Sequence, residues 1–154
     1  METHERERHI GYLLHSVEVS RRARESGNTP FGCIVVDSEG KVLLEQGNIE
    51  ITEHNCTGHA ETTLMVEASK RFPKELLWTC TMYTTAEPCA MCAGSIYWGN
   101  VGRVVYGIAE KRLAELTGDD EQNRGSGVEP PCDNGHDHQH GEQQQYRLDR
   151  RRHW

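Results

Sequence analysis

An α/β fold with a partly parallel sheet is predicted by three features of this 154-residue sequence. Segments with helical hydrophobic spacing alternate with short, β-rich apolar runs, and Gly, Pro and polar clusters separate the two kinds. Two loop or strand segments also lead directly into helix starts, the pattern expected of crossover connections. The first element spans His4 to Arg24, where Ile10, Leu13, Leu14 and Val17 recur at the spacing of one helix face, so that face is expected to meet the core. Ser26-Gly27-Asn28-Thr29-Pro30 stops it. Phe31 to Asp37 reads as a buried strand, Ser38-Glu39-Gly40-Lys41 as a hairpin turn and Val42 to Glu45 as the partner strand.

Ile49 to Thr57 is polar and irregular, and a loop is expected there. Glu61 to Arg71 carries Leu64, Met65 and Ala68 at helical spacing and ends before Pro73, which places His59 in or just before the first turn. Thr79 to Thr85 is a strand that runs into Glu87-Pro88-Cys89. Proline suits a helix start and not a helix interior, so a helix is expected from there to about Trp98. Val101 to Ile108 is the last long strand, and Glu110 to Leu116 a short helix. After Thr117 the composition turns to Gly, Gln, Asp, His and Arg. Residues 1–117 are therefore read as one domain, and 118–154 as a polar tail that is either disordered or held against another surface such as a partner subunit.

Several classes are excluded by composition. No stretch approaches the roughly 20 apolar residues of a membrane span, and Met1 to Arg8 is charged, without the apolar stretch of a secretory signal. A soluble, cytoplasmic protein is expected. The six cysteines, Cys33, Cys56, Cys80, Cys89, Cys92 and Cys132, sit in a chain too well supplied with helix and strand patterns to need a disulfide framework. A formal net charge of −7 argues against dependence on many phosphate contacts, so nucleic acid is not the expected partner.

The chemistry concentrates at two helix starts. His59-Ala60-Glu61 opens one, and Pro88-Cys89-Ala90-Met91-Cys92 opens the other. Together they offer one imidazole, two thiols at i, i+3 and one carboxylate, a set that suits a catalytic Zn2+ with one position left for water. Helix starts carry partial positive charge, which together with a metal favours the thiolate form of Cys89 and Cys92. On a regular helix His59 and Glu61 would point about 200° apart, which leaves Glu61 off the metal and available to move protons. Zinc lowers the pKa of a bound water to about 7 in favourable sites. The pairing of H-x-E with P-C-x-x-C resembles the signature of zinc-dependent base and nucleoside deaminases, and that resemblance implies hydrolytic loss of an exocyclic amine from a heteroaromatic ring, with Glu61 as the proton shuttle. Alone, Cys-x-x-Cys would equally fit half of a structural zinc knuckle or a redox pair; no second such pair exists to close a four-thiolate site.

Thr29-Pro30-Phe31-Gly32, Gly58-His59-Ala60-Glu61 and the run from Tyr83 through Pro88-Cys89-Ala90-Met91-Cys92 to Trp98 resemble the cytidine deaminase superfamily, in particular its branch of guanine deaminases and related nucleoside deaminases. The resemblance covers about Ile10 to Asp120. It implies a three-layer α/β/α cytidine-deaminase-like sandwich with a mixed five-stranded sheet, a homodimer, and zinc held by His59, Cys89 and Cys92 with Glu61 as catalytic residue. It further implies that Asn48, Ala60, Trp98 and Asp120 contact the substrate, a purine base or nucleoside of the guanine type. Adenosine in transfer RNA, cytosine, and a catalytically inactive zinc-binding scaffold or dimer partner stand as alternatives.

The likeness fades after Pro131-Cys132. Tyr146 and Trp154 are the aromatic residues there that would close a pocket, and His136, His138 and His140 lie in a stretch read as a solvated linker.

Overall fold

The computed structural model describes residues 3–117 and Tyr146–Arg147. Helix α1 (Thr3–Glu25) leads to the hairpin β1 (Gly32–Val36) and β2 (Val42–Gly47), followed by α2 (Ala60–Arg71), α3 (Lys74–Thr79) and β3 (Thr81–Ala86). After β3 come α4 (Ala90–Gly99), β4 (Arg103–Ile108), α5 (Glu110–Thr117) and the two-residue β5 (Tyr146–Arg147). The sheet order is β2-β1-β3-β4-β5. β1 is antiparallel to both β2 and β3, β3 is parallel to β4, and β5 is antiparallel to β4. The sheet is therefore mixed, with four full strands and a fifth position filled by Tyr146 opposite Val104 and Arg147 opposite Arg103. Apart from these two residues, the tail expected from 118 onward lies outside the described residues, as do Asp120, Cys132, the three histidines and Trp154.

Alternation along the strands builds the three layers. Cys33 and Val35 of β1, Met82 of β3 and Val104 of β4 face one cluster with Ala60, Leu64, Met65, Ala68, Leu77 and Ile96 from α2, α3 and α4. Ile34 and Val36, Tyr83 and Val105 face the other way, onto Leu13 and Val19 of α1. Among the described residues no helix is long and apolar enough to cross a membrane.

The packing face of α1 meets the expected one only at Leu13. Its buried residues are His9, Leu13, Ser16, Val19, Ser20 and Ala23, whereas Ile10, Leu14 and Val17 are exposed, Leu14 by 63%. Close approach of the helix to β1 is the reason. A Cβ on Gly32 would stand 2.6 Å from the Ser20 backbone nitrogen and 2.7 Å from the Ser16 carbonyl oxygen, and one on Gly47 would stand 2.8 Å from the Ala23 Cβ. At that separation only small side chains fit between the layers, so Ser16, Ser20 and Ala23 face inward. Gly32→Ala must push two backbones apart, and we expect a loss of about 1–3 kcal/mol. A urea titration should show the midpoint fall with an unchanged slope; an unchanged midpoint would contradict the packing described.

The strand expected over Thr79 to Thr85 begins only at Thr81, because residues 74–79 form α3. Pro73 caps this helix with extended backbone, and Cys80 ends it. The strands expected at Phe31–Asp37 and Val101–Ile108 are present in slightly shorter form, and Val42–Glu45 extends to Gly47. The crossover from β3 through α4 to the parallel β4 puts the turn Glu87-Pro88-Cys89 at the carboxyl end of β3, where open α/β sheets place their ligands.

Candidate metal centre

His59 and Cys89 are the N-cap residues of α2 and α4, with extended backbones at φ −65° and −64°. N-cap positions ordinarily carry Ser, Thr, Asp or Asn, whose side chains satisfy first-turn amides. Here neither side chain caps its own helix; both turn to the space between the two helix starts. The helices that carry them pack together through Met65 and Ile96, and Asn100, in the left-handed region at φ 71°, terminates α4 with its amide bonded to the carbonyls of Ile96 and Tyr97. The β3–α4 turn is tied down by Glu87, whose amide donates to the Ile108 carbonyl at 2.8 Å and whose carboxylate accepts from the Glu110 amide at 2.9 Å.

The ligand-type atoms of His59, Cys89 and Cys92 all lie within 4.8 Å of one another. His59 Nδ1 is 3.5 Å from Cys89 Sγ and 3.6 Å from Cys92 Sγ. A tetrahedral zinc with usual Zn–N and Zn–S bond lengths separates nitrogen from sulfur by about 3.5 Å. The donor set and its spacing therefore fit zinc. A hydrogen bond with Cys92, ahead of one with His59, draws the Cys89 thiol well below its ordinary range. The same bond, with burial and the neighbouring Glu61, pushes Cys92 up. His59 is raised, chiefly through its hydrogen bond to Cys89. Cys92 also accepts from Thr62 Oγ1 at 3.2 Å, and its carbonyl accepts from Ser95 Oγ at 2.8 Å.

Glu61 is 7% exposed and comes from the first turn of α2. Because His59 lies outside the helix, the two side chains converge from different directions: Glu61 Oε2 stands 3.6 Å from Cys92 Sγ. Its other oxygen accepts a 2.6 Å hydrogen bond from Thr84 Oγ1. Thr84 shares the β3 face of Met82, which is how the sheet reaches the carboxyl group. Burial raises the Glu61 pKa, and the Thr84 hydroxyl works against that rise.

The expected substrate contacts occupy different surroundings. Ala60 is fully buried as the first residue of α2. Asn48 is 2% exposed and sits at the start of the segment leading to His59. Its amide donates to the Phe31 carbonyl at 3.0 Å, and the next amide, that of Ile49, donates to the Gly58 carbonyl at 2.9 Å, which closes the loop. Trp98 is 73% exposed and meets Tyr97 edge to face at 5.3 Å, so among the described residues it lines no closed cavity. Two neighbours of the centre were not singled out by the sequence: Thr84, and Glu50, whose carboxylate lies 3.4 Å from His59 Nε2 and accepts from Asn48 Nδ2 at 2.7 Å.

An imidazole and two thiols meeting on two helix starts, with a buried carboxyl group beside them, define a mononuclear zinc-type centre at the edge of a three-layer α/β/α sandwich. Residues 6–108 match the family described as the cytidine and deoxycytidylate deaminase zinc-binding region, and the chain belongs to that family. It is 39% identical over 111 residues to a probable cytosine deaminase of Schizosaccharomyces pombe, a match that covers 72% of this chain and 67% of that protein. Over 104 residues it is 31% identical to a tRNA-specific adenosine deaminase of Haemophilus influenzae, covering 68% of this chain and 60% of that protein. The crystal structure of guanine deaminase from Bacillus subtilis superposes with a TM-score of 0.61 at 32% identity, over 70% of this chain and 69% of that one.

Proposed function

We propose that this chain is a zinc-dependent aminohydrolase of a free nucleobase or nucleoside, with a guanine-type ring as the leading substrate. The observation that carries the reading is the Glu61 carboxyl group, buried beside the sulfur of Cys92 yet outside the His59, Cys89 and Cys92 set. A purely structural site has no use for a carboxyl group desolvated beside its ligands, where burial costs free energy. In the proposed reaction Glu61 passes one proton of the attacking water to the ring nitrogen and then carries the second, from the hydroxyl of the tetrahedral adduct, to the departing amine; the ring keeps the oxygen as a carbonyl and ammonia leaves. Thr84 holds the carboxyl group in place from the sheet side.

Guanine is favoured by the likeness to the Bacillus subtilis guanine deaminase structure and by the motif continuing from Cys92 to Trp98. Asn48, and Asp120 beyond the described residues, are proposed as its polar contacts, with Ala60 offering backbone. Cytosine is the second reading, favoured by the 39% identity to the yeast protein. Adenosine within RNA is disfavoured by the net charge of −7, since a flipped base needs its flanking phosphates held. A second copy of the chain is the proposed cover for Trp98 and Val66, which are exposed on the two helices that carry the centre.

Ammonia release from guanine, guanosine, cytosine and an adenosine-containing RNA stem-loop, measured on zinc-loaded protein, tests the reading. Turnover of guanine or guanosine is expected. Silence toward all four at stoichiometric zinc would favour the inactive scaffold instead.

A further inference from the structure

We propose that Glu50 is a positioning residue that, with its two carboxylate oxygens, fixes both the metal-facing imidazole of His59 and the amide of Asn48. The inference rests on the reading of His59 as a zinc ligand and Asn48 as a base contact, and adds the group that ties them together.

The imidazole side follows from ring geometry. His59 Nδ1 faces both cysteine sulfurs at 3.5 and 3.6 Å, so Nε2 points away from them, and there it meets Glu50 Oε1 at 3.4 Å. A ring that uses Nδ1 as a ligand carries its proton on Nε2, which makes Nε2 a donor and the carboxylate its natural acceptor. Such an outer carboxylate selects the tautomer, restrains the ring and raises its basicity as a ligand.

The amide side is fixed by groups whose roles admit no exchange. The Glu50 backbone N–H donates to Asn48 Oδ1 at 2.9 Å, and Glu50 Oε2 accepts from Asn48 Nδ2 at 2.7 Å. A backbone N–H can only donate and a carboxylate can only accept, so the orientation of the Asn48 amide is determined. One N–H and one lone pair of Asn48 remain for a ligand, presented in a fixed order. The loop keeps this arrangement through hydrogen bonds at both ends: the Asn55 amide donates to the Glu50 carbonyl at 3.0 Å, and Asn28 Oδ1 accepts from the amides of Ile51 and Thr52 at 3.1 and 3.0 Å. A single side chain of the loop, that of Glu50, thus reaches both groups.

The test compares Glu50→Ala and Glu50→Gln in the full chain. Zinc affinity is measured by competition with a chromophoric chelator, and the Asn48 side-chain amide is followed by 15N NMR, its signal assigned by its loss in Asn48→Ala. Glu50→Ala should weaken zinc binding by about 10- to 100-fold and move the Asn48 amide signal. In Glu50→Gln the single carbonyl can still accept from Asn48, but its NH2 group opposes the His59 Nε2–H. Zinc affinity should therefore fall while the Asn48 signal stays near its wild-type position. Unchanged zinc affinity in Glu50→Ala, with the far-ultraviolet spectrum of the fold retained, would overturn the His59 half, and an unmoved Asn48 signal would overturn the other. Both readouts work without a substrate, so a wild-type protein that deaminates nothing would count against the proposed function and leave this result standing.

Discussion

Glu61→Gln is expected to lower turnover by about 10²- to 10⁴-fold, the usual contribution of a positioned acid–base group, while zinc stays bound at wild-type stoichiometry. The substitution is close to isosteric, which makes it informative. The Gln carbonyl can keep the 2.6 Å hydrogen bond from Thr84 Oγ1, and its NH2 group can donate toward the Cys92 sulfur that Glu61 now faces at 3.6 Å. Packing, ligand geometry and the α2–β3 contact therefore survive, and what disappears is the capacity to accept and return a proton. Turnover per bound zinc, with the metal measured by atomic absorption on the same sample, separates the effect from metal loss. A variant as active as the wild type would remove Glu61 from the chemistry. A variant that loses zinc in proportion to activity would make Glu61 part of the metal's support instead.

Legibility of this molecule in its sequence followed the range of the interactions involved. His59, Glu61, Cys89 and Cys92 were readable because the chemistry demands particular residue types at short, fixed spacings, and Pro88 and Pro73 marked where helices start and stop. Strands β1, β3 and β4 were readable because burial on both faces leaves runs such as Cys33-Ile34-Val35-Val36 with few polar residues. The inward face of α1 was not. Hydrophobic periodicity selected Ile10, Leu13, Leu14 and Val17, of which Leu13 is buried, whereas the tight contact at Gly32 and Gly47 selects small residues, a condition set by strands that follow in sequence. Helix α3 was hidden because Leu76-Leu77-Trp78-Thr79 reads equally as the start of a strand. Glu50 was invisible for a similar reason. A polar loop acquires its meaning only when the turns between Ile49 and Gly58 bring residue 50 beside residue 59. Trp98 lies on a helix the sequence placed correctly, but its surroundings depend on what covers an exposed surface.

Removal of one thiolate should separate metal binding from folding. Cys92→Ala is expected to abolish stoichiometric zinc and reduce turnover to background, yet leave a folded chain. Both expectations come from where Cys92 sits. It is 1% exposed, its sulfur lies against His59, Glu61 and Thr62, and no other described cysteine or histidine joins the set of His59, Cys89 and Cys92. The two hydrophobic clusters on either side of the sheet are built without it, from residues such as Leu64, Met82 and Ile96 on one face and Ile34, Tyr83 and Val105 on the other. Small zinc domains unfold without their metal because they lack such a core; here the metal acts as a ligand that binds the folded state, worth about 4 kcal/mol when free zinc exceeds its Kd on the order of a thousandfold. Wild-type protein stripped by a chelator should therefore melt cooperatively at a lower temperature and recover on addition of zinc. The Cys92→Ala protein should melt at one temperature with or without the metal. Should it instead hold zinc and retain turnover, the fourth helix would not supply a necessary ligand, and the centre would have to be assembled from other donors.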